Sequence, residues 1–236
     1  MLADLRRRLP EPAARALRAM RRNLGASPMR RLCRQLQERG VDLGRLRALE
    51  VFGDDGTRHT LDYAPMVASL DIWEIRPDRE AALRKNFPGA GIKIVDSFEE
   101  VKRTPTRYDL VIVDNWVGSV FDGHCEHFEL FPDIYRVVTD DGILVINVVP
   151  RLDEEAQRRF PTVFKSSTVA EHLERRRDFY GTDHPEAVSA SQMLTVYRKL
   201  AAENGFGIEW SVLQPRIYHS YLALTLRREP RAARTS

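Results

Sequence analysis

The stretch Leu49-Glu50-Val51-Phe52-Gly53-Asp54-Asp55-Gly56-Thr57 is an apolar strand that runs into a glycine-flanked acidic loop. After one short helical segment comes a second strand closed by an acid, Leu70-Asp71-Ile72-Trp73-Glu74. Glycine at 53 and 56 lets the backbone turn tightly and approach a ligand, and an acid at the end of the next strand accepts hydrogen bonds from ribose hydroxyls. The two features together predict a site for a nucleoside-bearing cofactor.

Working outward from that stretch, short apolar strands alternate with helical segments from Ala48 onward, which predicts a parallel sheet with helices on both faces. The strands read as Ala48 to Phe52, Val67 to Ile75, Gly91 to Val95, Tyr108 to Val113, Gly142 to Val149, Ile208 to Leu213 and Tyr218 to Leu226. The runs Leu110-Val111-Ile112-Val113 and Ile143 to Val149 are near-continuously apolar, as central strands buried on both faces should be. Helical periodicity marks Pro77 to Asn86, Phe128 to Val138 and Ser191 to Asn204, with Gly205 closing the last and Pro215 making a turn between the final strands.

A chain of 236 residues with 43% hydrophobic content suits one large α/β domain with extensions. Residues 1–47 read as a helical extension, with Leu17, Met20 and Leu24 on one face and Ser27-Pro28 opening a helix that holds Met29, Leu32 and Leu36. Residues 48–226 form the body, interrupted by a charge-rich helical insertion at 151–185, and 227–236 read as a disordered basic tail. The net charge of +3 is unevenly spread: residues 1–47 carry +9, the last ten +3, and the body −9. The N-terminal arginines alternate with Leu and Ala at helical spacing, which favours a solvated helix face over a nucleic-acid surface. Cys33 and Cys125 imply neither a disulfide framework nor a multi-cysteine metal site. No apolar stretch is long enough to span a bilayer and the Arg-rich start lacks a secretory core, so a soluble, cytoplasmic protein is expected.

A glycine loop after the first strand, acids after the second and third, and a late strand pair resemble the class I S-adenosylmethionine-dependent methyltransferases over roughly Ala48 to Leu226. That resemblance implies a Rossmann-like, seven-stranded, mostly parallel sheet. It implies that Glu50, Phe52, Gly53, Asp54 and Gly56 lie against the methionine part of S-adenosylmethionine. Glu74, with Ile75 beside it, would bind the ribose, Asp96 with Ser97 would read the adenine, and Asp114 and Asn115 would close the cofactor site. The Gly53-Asp54-Asp55-Gly56 centre departs from the family's glycine spacing. A dinucleotide-binding domain is a rival reading of the acid after the second strand, but its glycine fingerprint is missing. The segment Tyr108 to Asn115 also looks like the spermidine synthase branch, so aminopropyl transfer is the second enzymatic reading. A non-catalytic cofactor- or RNA-binding module is the third.

Methyl transfer from a sulfonium is a direct displacement, so alignment is the main task and a base is needed only if the acceptor must lose a proton. Asp114, at the end of the fourth strand, reads either as an orienting carboxylate or as a loop cap. His124-Cys125-Glu126-His127 is the densest cluster of reactive side chains, with His124 and His127 as candidate bases. Their spacing matches no recognised metal motif, and Ile146 stands before Asn147 where magnesium-dependent relatives carry an acid, so no metal is expected. His59 and Tyr63 face either cofactor or acceptor, with packing the default for Tyr63, while His219 reads as structural. The expected substrate is a small-molecule acceptor; the oligomeric state is open.

Overall fold

The computed structural model describes residues 27–114, 125–150, 154–159, 168–216 and 219–230. Seven strands form a single sheet: β1 Arg47–Glu50, β2 Ser69–Glu74, β3 Gly91–Ile94, β4 Tyr108–Val113, β5 Val138–Val148, β6 Phe206–Pro215 and β7 Ser220–Arg228. Their order is β3-β2-β1-β4-β5-β7-β6, with β1 to β5 parallel and β7 antiparallel to both β5 and β6. The order reverses between β1 and β4, and in such sheets ligands bind outside the carboxyl ends of the strands at that reversal.

Alternation along the apolar runs builds two cores from one set of strands. Leu49, Val51, Val111, Val113, Leu144 and Ile146 face one side of the sheet, while Ala48, Leu110, Ile112, Ile143 and Val145 face the other. The first side is covered by α4 (Ser97–Arg103), α6 (Thr168–Tyr180) and α7 (Ala190–Glu203), through Val101, Tyr180, Met193 and Tyr197. The second is covered by α1 (Pro28–Glu38) and α3 (Glu80–Asn86), through Met29, Leu32, Leu36 and Leu83. Among the described residues the remaining α-helices are the single turn α2 (Thr60–Tyr63) and α5 (Glu154–Arg159). Ser27 caps α1 by accepting from the Arg30 amide at 3.1 Å, with Pro28 in the first turn. The part of the N-terminal extension that is described therefore packs on the same sheet as the body.

Several boundaries differ from the sequence expectation. The segment Phe128 to Val138 forms two short 3-10 turns, Phe128–Leu130 and Asp133–Val137, in place of one helix. Pro132 has no amide hydrogen and biases Phe131 toward its observed extended backbone. β5 begins at Val138, because the chain stays extended through Asp140 and Asp141, which lie in the register shift between the pairs Tyr108–Val138 and Leu110–Ile143. Pro215 ends β6 on the sheet edge, where a missing donor costs no ladder bond. β7 carries on through Arg227 and Arg228, so these two residues, expected to open a tail, belong to the sheet. Arg227 is tied to Glu209 of β6, and the Glu229 amide donates to Gly205 at 2.9 Å.

Helix α6 is locked to the end of β5 by a fully buried ion pair. Arg176 of α6 bonds Glu126 through Nη1, the Val149 carbonyl through Nη2 at 3.0 Å and the Pro185 carbonyl through Nε at 2.7 Å. Glu126 also accepts from the Val149 amide at 3.1 Å and from the Tyr180 hydroxyl at 2.9 Å. Burial alone would raise its carboxyl, but Arg176 and His172 hold it down at about 2. Breaking a buried pair strands the surviving charge, so Arg176→Met is expected to lose about 3–5 kcal/mol of stability in urea denaturation. Adding Glu126→Gln to it should recover part of that loss.

Candidate functional site

Two groups of polar side chains meet at the carboxyl ends of the central strands, built from the ends of β1, β2 and β4 and the turn entering β7. The first gathers around the loop after β1. Gly53 lies so close to β2 that a Cβ would stand 2.4 Å from the Ile72 side chain and 3.3 Å from the Trp73 carbonyl oxygen. Gly56 has φ +68°, and its Cβ would fall 2.1 Å from the Phe87 ring. Both glycines are thus required by packing of the loop onto the protein, a second reason beside ligand approach.

Glu74 holds this loop in place. Its Oε2 accepts from the Asp54 amide at 2.6 Å and its Oε1 from the Arg76 amide at 2.8 Å. Asp54 adopts φ +46°, a left-handed conformation unusual outside glycine, and its carboxylate is 3.2 Å from Arg79. Burial pushes the Glu74 carboxyl above its usual range, opposed by the two amides. A carboxylate has about four lone-pair positions, so each Glu74 oxygen keeps one for a further donor. The neighbouring Ile75 is 53% exposed, the most open large apolar side chain among the described residues. Asp96 is exposed and caps α4 by accepting from the Phe98 amide at 2.9 Å, while the buried Ser97 hydroxyl donates to the Val51 carbonyl at 2.6 Å.

The second group is centred on a histidine. His59, beside α2, donates through Nε2 to Glu50 at 2.8 Å and lies 2.8 Å through Nδ1 from Asp114. Glu50 ends β1 and Asp114 directly follows β4, so the one imidazole bridges two buried carboxylates on adjacent strand ends. Burial disfavours the imidazolium, but Asp114 and Glu50 outweigh it and raise its pKa to about 10. Glu50 Oε2 also accepts from Tyr63 at 2.8 Å and Thr60 at 3.2 Å, whereas Oε1 is buried and has no donor among the described residues. Burial pushes the Glu50 carboxyl up.

Asp114 is saturated. Its oxygens take His59, Arg216 Nη1 at 2.8 Å to each oxygen, Asn147 Nδ2 at 2.6 Å and the Tyr221 hydroxyl at 2.5 Å. Desolvation opposes its charge, yet His59 and Arg216 hold it well below the usual carboxylate range. Asn147 and Tyr221 are register partners on β5 and β7, so one rung of the ladder supplies two of the donors. The alternative reading of Asp114 as a cap is thereby given specific content: it ties three strands together. The sequence reading passed over Arg216 and Tyr221. The available signal was a polar pair, Asn147 after the run Ile143 to Ile146 and Tyr221 before the run Leu222 to Leu224, each beside an apolar stretch.

The remaining candidates fall close by or outside view. His127 is half-buried, its ring 4.5 Å from Phe52 and 6.0 Å from Phe98, and the two phenyl rings are 5.8 Å apart. His124 and Asn115 lie outside the described residues. Among the described residues no group of three or more His, Cys, Asp and Glu is arranged to hold a metal, and no helix is long and apolar enough to cross a membrane.

No family model and no curated protein matches the sequence. Solved structures do. Trm1 from Pyrococcus horikoshii, solved with S-adenosyl-L-methionine, aligns with a TM-score of 0.54 at 12% identity over 78% of this chain and 50% of that one. The chain has the fold of the class I S-adenosylmethionine-dependent methyltransferases. Two further similar structures are the N-methyltransferase NodS from Bradyrhizobium japonicum (TM-score 0.49, 14% identity, 87% of this chain and 99% of that one) and a putative transferase from Pyrococcus horikoshii (0.49, 14%, 87% and 66%). The chain thus spans half of the Trm1 chain and about two thirds of the transferase. Within the methyltransferase fold, the acids after β1, β2 and β3 are Glu50, Glu74 and Asp96.

The charge on His59 gives a pH signature with a defined sign. A histidine raised from 6.5 to about 10 by folding adds stability that is complete below about 6.5 and lost as pH rises through about 10. Thermal melts of the native protein should therefore fall across that window, and His59→Gln should show a shallower fall.

Proposed function

We propose that this chain is an S-adenosylmethionine-dependent methyltransferase acting on a small-molecule acceptor. The carrying observation is the end of β2, where Glu74 grips the loop through two backbone amides, keeps acceptor capacity on both oxygens, and stands next to the open face of Ile75. Acceptor-only oxygens suit ribose hydroxyls, and an exposed aliphatic side chain suits one face of a purine. Asp96, exposed at the end of β3 with one oxygen on its helix cap, suits the adenine amino group.

The methionine half is suited by the loop Phe52 to Gly56 and by Glu50, whose Oε1 is a buried acceptor with no donor among the described residues and whose chemistry matches an ammonium. Bound cofactor would supply an electrophilic methyl group on a sulfonium. The residues of the chain would bind, orient and exclude water. Asp114 acts as a fixed charge orienting Arg216 and His59, since its lone pairs are taken by five donor contacts. Proton removal, where an acceptor requires it, falls to His127, whose ring lies on Phe52 at the start of the cofactor loop. Asn115 and His124 are proposed to complete the cofactor and acceptor sides.

Isothermal calorimetry with S-adenosylmethionine and S-adenosylhomocysteine tests the reading. Binding of both by the native protein is expected, with a loss of about tenfold or more in Glu74→Ala, as for a charge-assisted hydrogen-bond site. Absent binding, or unchanged binding in the variant, contradicts it. Tighter binding of decarboxylated S-adenosylmethionine would instead favour aminopropyl transfer.

A further inference from the structure

Arg216 stands in the turn between β6 and β7, at the carboxyl end of the sheet and on the side of Asp114 away from Glu74 and Asp96. Its backbone amide donates to the His219 carbonyl at 2.8 Å, and its guanidinium lies 4.4 Å from the centre of the Tyr221 ring. Among the described residues all of its side-chain hydrogen bonds leave from Nη1: 2.8 Å to each Asp114 oxygen and 3.5 Å to the Asn147 side-chain carbonyl oxygen. Nε and Nη2 have no protein acceptor among the described residues, although the side chain is only 13% exposed. A guanidinium fixed at one corner by a carboxylate and on one face by a ring is held with its Nε–Nη2 edge presented as a unit.

That edge carries two parallel donors spaced for the two oxygens of a planar anion. The charges around it select the kind of anion. Two cations, His59 and Arg216, face two carboxylates, Glu50 and Asp114, so a single negative charge enters without meeting a surplus of its own sign. A doubly charged phosphate would bring a second charge toward both carboxylates. We infer that Arg216 binds a carboxylate of the methyl acceptor through Nε and Nη2. The word acceptor rests on the methyltransferase reading above; the carboxylate site itself does not.

The test uses the full chain and the variant Arg216→Lys, which keeps a cation for Asp114 but removes the two-donor edge. Its fold is checked by circular dichroism and thermal melting. Monocarboxylates from acetate to benzoate, each with its matching amide, are titrated into native protein with and without saturating S-adenosylhomocysteine. At least one carboxylate should bind about tenfold or more tightly than its amide, and Arg216→Lys should lose that preference while binding S-adenosylhomocysteine within about twofold of native. Equal binding of carboxylates and amides, or an unchanged preference in the variant, overturns the inference. So does a tenfold loss of S-adenosylhomocysteine binding in Arg216→Lys with methylthioadenosine binding unchanged, because the carboxylate being read would then be the cofactor's own. Native protein that binds neither nucleoside defeats the methyltransferase reading alone, and the titration without S-adenosylhomocysteine still decides the role of Arg216.

Discussion

The His59 imidazole, held 2.8 Å from a carboxylate at each of its nitrogens, is the contact around which the site is organised. Glu50 and Asp114 end neighbouring parallel strands, and two buried like charges at that spacing would repel and drive one to take up a proton. A cation between them removes the conflict, and Arg216 adds a second one. From this follow the position of α2, which carries Thr60 and Tyr63 onto Glu50, and that of the turn entering β7, which carries Arg216 onto Asp114. The end of β1, the end of β4 and the turn before β7 are thereby fixed to one another through charge, beyond what the backbone ladder provides.

On the proposed reading, the site divides into a nucleoside half and an acceptor half along the sheet. Glu74 pins the loop through the Asp54 amide, and in the proposed function the same carboxylate would also hold the ligand, so a change there would act on shape and binding together. On the other side the buried pair Arg176 and Glu126 fixes the insertion helix to the end of β5, next to His127. The side of the sheet proposed for the acceptor is thus bounded by the buried ion pairs of Arg176 with Glu126 and of Arg216 with Asp114, and fixed surroundings suit a reaction governed by alignment.

Most of the sheet was legible because its signals are local. Val111 and Val113 facing one core while Leu110 and Ile112 face the other is period-two patterning that any strand buried on both faces must show. The failures were also physical. The apolar spacing of Phe128 to Val138 matches a helix, but Pro132 interrupts it; Arg227 and Arg228 look like tail, but Glu209 across the ladder pairs with Arg227. The acids after β1 to β4 could be named from the sequence, whereas their partners could not. Arg216 lies 102 residues from Asp114, and only the antiparallel return of β7 brings them together. The glycines illustrate the same limit: that a Cβ at Gly53 would meet Ile72, and one at Gly56 would meet Phe87, is a packing constraint set by residues distant in sequence and acts beside any demand a ligand makes on the loop.

The most direct measurement is a crystal structure of the protein with S-adenosylhomocysteine at saturating concentration. The adenosine should lie along Ile75 with its ribose hydroxyls on Glu74 and its amino group near Asp96, and the homocysteine sulfur should point toward the side of the sheet that holds His127 and Arg216. A ligand bound elsewhere, or a Glu74 carboxylate that contacts only the Asp54 and Arg76 amides at saturation, would contradict the assignment of this strand end as the cofactor site.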